Sequence, residues 1–400
     1  MRIVQTFTVP MSLCFLEGQA KFWQENGHEL HVLTAASDKL IEFGHKHNVP
    51  IQAIPFQRSR TTFWQDLKSL YQLVHYFRKY KPDIVHGNTP KAAFLTMIAA
   101  KVASVPIRIY EMHGLPLETA GFLGKIVWRF LEKISCFCAT HVIAVSTSLR
   151  QSALKHKLVA PKKISVMHHG SCNGIDSEHI LNPEKSNFET IESIKQELKL
   201  IKEQPVVGFV GRLCLEKGIQ ELYDAWQLVK PIQSNAKLLL VGGEDEREKP
   251  PEELLKAFDN DPTILRIGQR QNMADYYALM DFLVLPSYRE GLGNVVLEAA
   301  AMGKPAIVSD VTGLKDAVVA NQTGIFCQRQ SAEDLANKIL YYLQNPTIRY
   351  QHGYEARKRV QVYFQPEDIW QGKKALYLDL ARATKSVTLR NVSPILQTAD

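Results

Sequence analysis

Short apolar runs alternate with longer amphipathic stretches along almost the whole chain. Helices are predicted at 16–27, 62–80, 90–103, 122–139 and 146–157, and strand–helix alternation of this kind predicts parallel sheets covered on both faces. The predicted strands are RIVQTFTV, HELHVLTA, VPIQAIP, DIVHGN, VPIRIYEMHG, THVIAVS and KISVMHHG in the first part, then PVVGFVG, AKLLLVGG, TILRIG, DFLVLP, PAIVSD and TGIFCQ.

The alternation pauses once, at 171–204, a polar stretch without strands. Because 400 residues exceed one ordinary core, we predict two doubly wound α/β domains. Ligands of such sheets bind beyond the carboxyl ends of the strands, so the cleft between the domains is the predicted site. The predicted segments are a first domain 1–175, a linker 176–204, a second domain 205–345, surplus helices 346–384 and a disordered tail 385–400.

Composition fits a folded globular protein, with 45% hydrophobic and 22% charged residues. No apolar run approaches the roughly 18–20 residues that span a bilayer, and MRIVQTFTVP reads as a first strand rather than a signal peptide. Six scattered cysteines without metal-ligand spacing predict buried free thiols. We therefore expect a cytoplasmic protein that meets any membrane-held substrate at the membrane surface.

The net charge of +7 is unevenly distributed. Residues 1–185 hold 22 Lys and Arg against 13 Asp and Glu, and the remainder is slightly acidic. A basic first half favours an anionic membrane surface over nucleic acid, because zinc-finger spacing, RNA-recognition signatures and basic helical arms are missing. The apolar, lysine- and arginine-bearing stretch 122–139 fits either a membrane-surface helix or a core helix.

The stretch REGLGNVVLEAAAMGKP contains two glutamates with different predicted positions. Gly291 and Gly293 favour a turn that holds Glu290, followed by a helix that starts near Asn294 and carries Glu298 about 6 Å from its start. Free N–H groups at that helix start form an anion site, most commonly for phosphate. Glu298 then either accepts hydrogen bonds from a ribose diol or pairs with a buried arginine.

The stretch VGFVGRLCLEKGIQEL offers two cations at a strand end. The strand ends at Gly211-Arg212, and a helix is predicted to begin around Glu216 with Lys217 in its approach. A dinucleotide fingerprint is lacking. A planar guanidinium and a compact ammonium suit a diphosphate, although two surface cations around a turn would look the same.

Two stretches of the first half also end strands. RIYEMHGLP contains His113, which is either an ordinary polar residue or, at the cleft edge, a functional one, and in HGNTPKAA the residues Thr89 and Lys91 introduce a helix. The tripeptide 259–261 has the D-x-D form of a metal–diphosphate site, but it precedes a strand and is predicted to be a turn. No metal ligand is predicted.

Together these motifs resemble glycosyltransferase family 4, the retaining, nucleotide-sugar-dependent glycosyltransferases. REGLGNVVLEAAAMGKPAIVSD is similar to the family's double-glutamate signature, and VGRLCLEKG to its diphosphate-binding segment. HGNTPKAAFLTMIAAKVASVPIRIYEMHG and VIAVSTSLR resemble its bacterial members that build capsular and exopolysaccharides. The resemblance extends over residues 1–380.

The resemblance implies a GT-B fold, in which two Rossmann-like domains face a cleft and a last helix crosses back to the first domain. The first domain would bind the acceptor and the second the donor. His113 and Glu290 would face the transferred sugar as the catalytic residues, and Glu298 would bind the ribose. The implied diphosphate-binding residues are Arg212 and Lys217 with the N–H groups of Gly291, Leu292, Gly293, Asn294 and Val295.

The implied reaction moves a hexose from a UDP-glucose- or UDP-N-acetylglucosamine-type donor to a hydroxyl of a lipid-linked glycan, with retention and without a metal or cofactor. Rival interpretations are a UDP-sugar isomerase of the same fold, a pyridoxal-phosphate phosphorylase and a non-enzymatic binder of anionic surfaces. One departure concerns the first loop, TVPMSLCFLEGQ, which lacks the glycine pair of many relatives. The acceptor-side residues carried over are Thr8, Ser12, Leu13, Thr89 and Lys91.

Overall fold

The computed structural model describes residues 1–57, 63–245 and 248–384, and the predicted tail lies outside them. Two parallel sheets carry all thirteen predicted strands. The first has the order β3-β2-β1-β4-β5-β6-β7. Its strands are β1 (Arg2–Thr6), β2 (Glu29–Thr34), β3 (Ile51–Ala53), β4 (Ile84–Asn88), β5 (Ile107–Met112), β6 (His141–Ala144) and β7 (Ile164–Val166).

The second sheet has the order β10-β9-β8-β11-β12-β13. In both sheets the chain reverses its direction of growth beside the first strand, between β1 and β4 and between β8 and β11, which is where doubly wound folds bind ligands. Its strands are β8 (Val206–Val210), β9 (Lys237–Val241), β10 (Ile264–Arg266), β11 (Phe282–Leu285), β12 (Ala306–Ser309) and β13 (Gly324–Cys327).

Helices cover the sheets because each buries one apolar stripe against the strands. In the first half they are α1 (Gln19–Glu25), α2 (Asp38–His47), α3 (Phe63–Tyr80), α4 (Pro90–Val102), α5 (Phe122–Cys138) and α6 (Thr147–Lys155). In the second half they are α7 (Phe188–Glu197), α8 (Ile219–Val229), α9 (Glu252–Asn260), α10 (Met273–Leu279), α11 (Asn294–Ala301), α12 (Leu314–Ala317), α13 (Ala332–Gln344), α14 (Pro346–Tyr363) and α15 (Pro366–Thr384).

The helix predicted at 16–27 is shorter than expected. Gly18, with a φ of 73°, separates a 3₁₀ turn at Pro10–Leu16 from α1. A left-handed backbone of this kind cannot continue an α-helix. The first strand–helix loop is therefore a compact turn rather than an extended one.

The last helix returns to the first domain, as the resemblance implies. Tyr377 of α15 stacks on Trp23 with ring centroids 5.2 Å apart, and α15 also contacts β5. Ile369 and Trp370 join the apolar core of the first domain. This packing ties the end of the chain to the first domain.

The two domains meet directly at one edge of the cleft. The Asp316 carboxylate accepts hydrogen bonds from the backbone N–H groups of Thr147 and Ser148, at 3.1 and 3.0 Å, and thereby caps α6 from the opposite domain. Ser146 Oγ donates to the Gly291 carbonyl at 2.6 Å. A carboxylate at a helix N-terminus is electrostatically favourable, so these contacts stabilise the facing arrangement of the domains.

Candidate active site

The two glutamates occupy different elements, as the glycine pattern predicts. Glu290 lies in the loop after β11, and Glu298 lies in α11, which begins at Asn294. Gly293 precedes the helix with a φ of 80°, a conformation that favours glycine. The backbone N–H groups at the start of α11 therefore follow directly on the Glu290 loop.

Glu290 is bound by two side chains of its own domain. Its Oε1 forms an ion pair with Lys217 Nζ and accepts a hydrogen bond from Ser287 Oγ at 2.8 Å. The helix predicted to begin around Glu216 begins at Ile219 instead, because Gly218, at a φ of 71°, ends a 3₁₀ turn there. That turn places Lys217 against the Glu290 loop.

Glu298 contacts a tyrosine rather than an arginine among the described residues. Tyr277 OH donates to Glu298 Oε2 at 2.7 Å. Burial raises the pKa of the Glu298 carboxyl above its ordinary value, and the hydrogen bond from Tyr277 opposes that rise. A carboxylate has about four lone-pair directions, so the tyrosine leaves acceptor capacity for a diol.

Arg212 follows β8, the strand next to β11. Its side chain is 43% exposed, and its guanidinium pairs with the buried carboxylate of Asp245. Asp245 holds the fork at the strand end without removing it from solvent. An anion in the cleft can therefore reach the remaining N–H groups.

His113 comes after β5 and faces the Glu290 loop across the cleft. A Cβ at Gly291 would collide with the His113 carbonyl oxygen, so only glycine permits this approach of the two backbones. The ring stacks on Phe15 with centroids 5.5 Å apart, and Nε2 lies 3.2 Å from Asn88 Oδ1. Burial lowers the pKa of His113 to about 4, so the ring is neutral near pH 7.

The five acceptor-side residues do not form one group. Thr8 and Thr89 come together, with their hydroxyl oxygens 2.7 Å apart, and Thr89 has a φ of 65°, which is rare for a β-branched residue. Lys91 forms an ion pair with Asp66 at 2.9 Å. Leu13 is buried in the core, and Ser12 is half-buried in the adjoining turn.

A buried ion pair was missed by the sequence reasoning. Lys373 Nζ of α15 lies 2.9 Å from Glu111 Oε2 of β5, and both side chains are 1% exposed. His86 Nε2 is 3.0 Å from the same oxygen. Burial by itself would raise the pKa of Glu111, but Lys373 and His86 outweigh it and hold that pKa well below its ordinary value. Polar letters inside otherwise apolar strands were the available signal.

Two further predictions need correction. Asp259 and Asn260 end helix α9 rather than forming a turn, and Asp261, which follows, accepts hydrogen bonds from Lys230 and Thr263. Cys14 is exposed, whereas the other five free cysteines are buried as predicted.

Comparison with known proteins identifies the family of the chain. Residues 190–359 match the family model "Glycosyl transferases group 1", and residues 16–177 match "Glycosyltransferase Family 4". The chain is 32% identical to the capsular polysaccharide biosynthesis glycosyltransferase CapM of Staphylococcus aureus, over 94% of this chain and 96% of CapM.

Two other proteins are similar to the chain, one in sequence and one in fold. The N,N'-diacetylbacillosaminyl-diphospho-undecaprenol alpha-1,3-N-acetylgalactosaminyltransferase of Campylobacter jejuni is 28% identical over 74% of this chain and 76% of its own. The structure of Anabaena HepE with UDP-glucose shares the fold, with a TM-score of 0.76 and 19% identity over 97% of this chain and all of HepE.

The two facing Rossmann-like domains with their crossing helix form a GT-B fold, and the two family models identify the chain as a glycosyltransferase. Within that class the chain belongs to glycosyltransferase family 4, and its similarity to CapM places it among the bacterial capsular members.

Proposed function

We propose that this enzyme transfers a hexose from a UDP-sugar to a hydroxyl of a lipid-linked glycan in capsule or exopolysaccharide assembly, with retention of configuration. The observation that carries the proposal is the arrangement of Arg212, Lys217 and the start of α11 at one edge of the cleft, opposite His113. The names of two relatives support it, the Campylobacter jejuni transferase and the UDP-Gal:alpha-D-GlcNAc-diphosphoundecaprenol alpha-1,3-galactosyltransferase of Escherichia coli. Both names specify a diphospho-undecaprenol acceptor and an alpha linkage. HepE supports the choice of a UDP-sugar donor.

In this mechanism the departing diphosphate gains charge while the sugar carbon becomes cationic. Arg212, Lys217 and the N–H groups at the start of α11 stabilise that charge, because they are held in place before the reaction begins. Glu290 accepts hydrogen bonds from the transferred sugar, and its partner Lys217 lies between it and the diphosphate. A leaving phosphate oxygen takes the acceptor proton on the same face, so no separate base or covalent nucleophile is needed. Because Arg212, Lys217 and the start of α11 carry the charge stabilisation, we propose that neither a metal nor another cofactor takes part.

The test is a panel of nucleotide sugars with the purified protein. A good donor at 100 times its dissociation constant should stabilise the fold by about 2.7 kcal/mol. Turnover of that donor with a diphospho-undecaprenol-linked sugar, followed by NMR in excess EDTA, should give an α-linked product. A chain that no nucleotide sugar stabilises, that converts the donor without an acceptor, or that stops in EDTA would contradict the proposal.

Glu298→Ala is expected to raise the donor KM about tenfold or more with little change in kcat. The ribose lies far from the reacting carbon, so its contacts are equal in the ground and transition states. Glu298→Gln, which keeps one acceptor oxygen, should give a smaller rise. A fall in kcat at unchanged KM would place Glu298 nearer the chemistry than we propose.

We also propose that the first domain contacts an anionic bilayer through helices α3 and α5. Both begin at the carboxyl edge of the first sheet and flank α4 on one face. Their first turns expose large apolar side chains, including Trp64 at 79% and Phe122 at 80%. The charged side chains exposed on α5 are all basic: Lys125, Arg129 and Lys133. Mixed apolar and basic faces are typical of interfacial helices.

No helix in the described parts of the chain is both long and apolar enough to cross a bilayer. The α5 face gives a direct test of surface binding. Leu123→Ser with Phe130→Ser should weaken binding to phosphatidylglycerol vesicles at least about tenfold, because each buried aromatic or leucine side chain contributes about 1.5–3 kcal/mol. Tyr350→Ser on α14, equally exposed at 78%, should leave binding unchanged. Equal binding by both variants would contradict this surface.

A further inference from the structure

A chain of amide side chains leads from the crossing helix α15 to His113. It passes through Asn173, Gln19, Gln5 and Asn88, of which the last three are at most 2% exposed. The donor–acceptor distances are 3.1 Å from Gln19 Nε2 to Asn173 Oδ1, 2.9 Å from Gln5 Nε2 to Gln19 Oε1 and 3.1 Å from Asn88 Nδ2 to Gln5 Oε1.

Two tryptophans fix the direction of this chain. An indole N–H can only donate a hydrogen bond, so each atom that it contacts must be an acceptor. Trp370 Nε1 lies 2.7 Å from Asn173 Oδ1, and Trp23 Nε1 lies 3.1 Å from Gln19 Oε1. The oxygen of each amide is therefore identified, and Gln19 must turn its NH₂ group towards Asn173.

The same reasoning carries the direction through to the histidine. Gln5 meets an acceptor oxygen on Gln19, so it must present its NH₂ group there and its own oxygen to Asn88. Asn88 then presents its NH₂ group to Gln5 and its Oδ1 to His113 Nε2, at 3.2 Å. Because an amide oxygen only accepts, the hydrogen of the neutral imidazole must be on Nε2.

We infer that Gln5, Gln19 and Asn88 are positioning residues that hold His113 in its Nε2–H tautomer. The opposite ring nitrogen, Nδ1, then carries the lone pair and accepts a hydrogen bond from a sugar hydroxyl. This catalytic meaning rests on the proposed function, in which His113 faces the transferred sugar. A fixed tautomer contributes because the acceptor is oriented before the substrate arrives.

The test is NMR of protein labelled with ¹⁵N-histidine, in which long-range ¹H–¹⁵N spectra identify the protonated ring nitrogen. The signal of His113 is assigned by its loss in His113→Asn. The wild type should show hydrogen on Nε2. Gln19→Met, which interrupts the chain two amides away from the ring, should give a mixture of tautomers and lower kcat about tenfold, the lower end of the loss seen for outer-shell partners of metal-bound histidines.

Gln24→Met is the matched control, since Gln24 lies on the same helix and, among the residues that the structure describes, its side chain donates only to the carbonyls of His47 and Asn48. It should change neither the tautomer nor kcat. Asn88→Leu provides a second interruption if Gln19→Met does not fold. Hydrogen on Nδ1 in the wild type, or an unchanged tautomer in the folded interrupted variants, would overturn the inference. The NMR result stands without turnover, so failure of the proposed function is distinguishable from failure of this inference.

Discussion

Arg212→Ala is expected to lower kcat at least about a hundredfold, the cost of removing one preorganised group that stabilises transition-state charge. Arg212 extends from the end of β8 with its side chain 43% exposed and its guanidinium paired with Asp245. The diphosphate gains negative charge only as the sugar bond breaks, so the loss should appear in kcat more than in donor KM. Steady-state kinetics with a nucleotide sugar measure both constants.

Arg266→Ala is the control for this prediction. Arg266 also lies in a strand of the second sheet and pairs with Asp259 and Glu244, but it belongs to β10, at the far edge of the sheet from β11. Its removal should leave kcat within about threefold of the wild type, because Arg266 lies at the far edge of the sheet from β11. The loss of a surface ion pair also costs little stability. A near-normal kcat in Arg212→Ala would refute the assignment of Arg212 to the diphosphate.

The strands could be predicted because a strand that is buried along its whole length forms a continuous apolar run in the sequence. FLVL in β11 and VVGFV in β8 are buried along their whole length, as parallel strands between two layers of helices must be. Helices α2 and α7 were not predicted. Residues 188–197 of α7 bury no side chain completely and lie in the polar stretch 171–204 that lacks strands, although Phe188, Ile191 and Ile194 recur at helical spacing. The start of α8 was predicted too early. Gly218 both ends the 3₁₀ turn at Leu215–Lys217 and precedes the first residue of α8, Ile219.

The candidate site also has a part that local sequence rules predicted and a part that they could not predict. Glu290, Gly293 and Glu298 lie within one short stretch, so local turn and helix rules were sufficient to separate them. Lys373 and Glu111 are 262 positions apart, and no local rule pairs them. The four amides of the chain to His113 lie in four separate segments, so no local rule predicts their contacts either. The Lys373–Glu111 pair exists only once the last helix has crossed back, whereas the amide contacts nearest His113 form within the first domain.

Lys373→Met is expected to destabilise the fold by about 3–5 kcal/mol, the usual cost of removing one partner from a buried ion pair. The change leaves the Glu111 carboxylate fully buried without its ammonium, and among the described residues no hydrogen-bond partner reaches its Oε1. Urea unfolding at pH 7 measures the loss. Lys374→Met is the matched control. Lys374 is the next residue, is less buried and donates to Asn26, so its removal should lower the free energy of unfolding by about 0.5 kcal/mol or less.

The pH dependence that Glu111 contributes to the stability should also change sign in this variant. In the wild type the pKa of Glu111 is held below its ordinary value, so its contribution is present above about pH 4.3 and is lost as the pH falls towards the folded pKa. Without Lys373, burial raises that pKa instead. Relative to the wild type, the variant should then gain stability as the pH falls from 7 to 5, because its folded Glu111 takes up a proton that the unfolded chain binds only at lower pH.

Glu111→Gln combined with Lys373→Met separates the charge effect from simple loss of packing. The double variant buries no charge at either position, so it should recover most of the stability that Lys373→Met loses and should show no gain between pH 7 and 5. Recovery would show that α15 is bound to the first domain partly through this one charge pair. A double variant as unstable as Lys373→Met would mean that the lysine stem, and not its charge, holds the crossing helix in place.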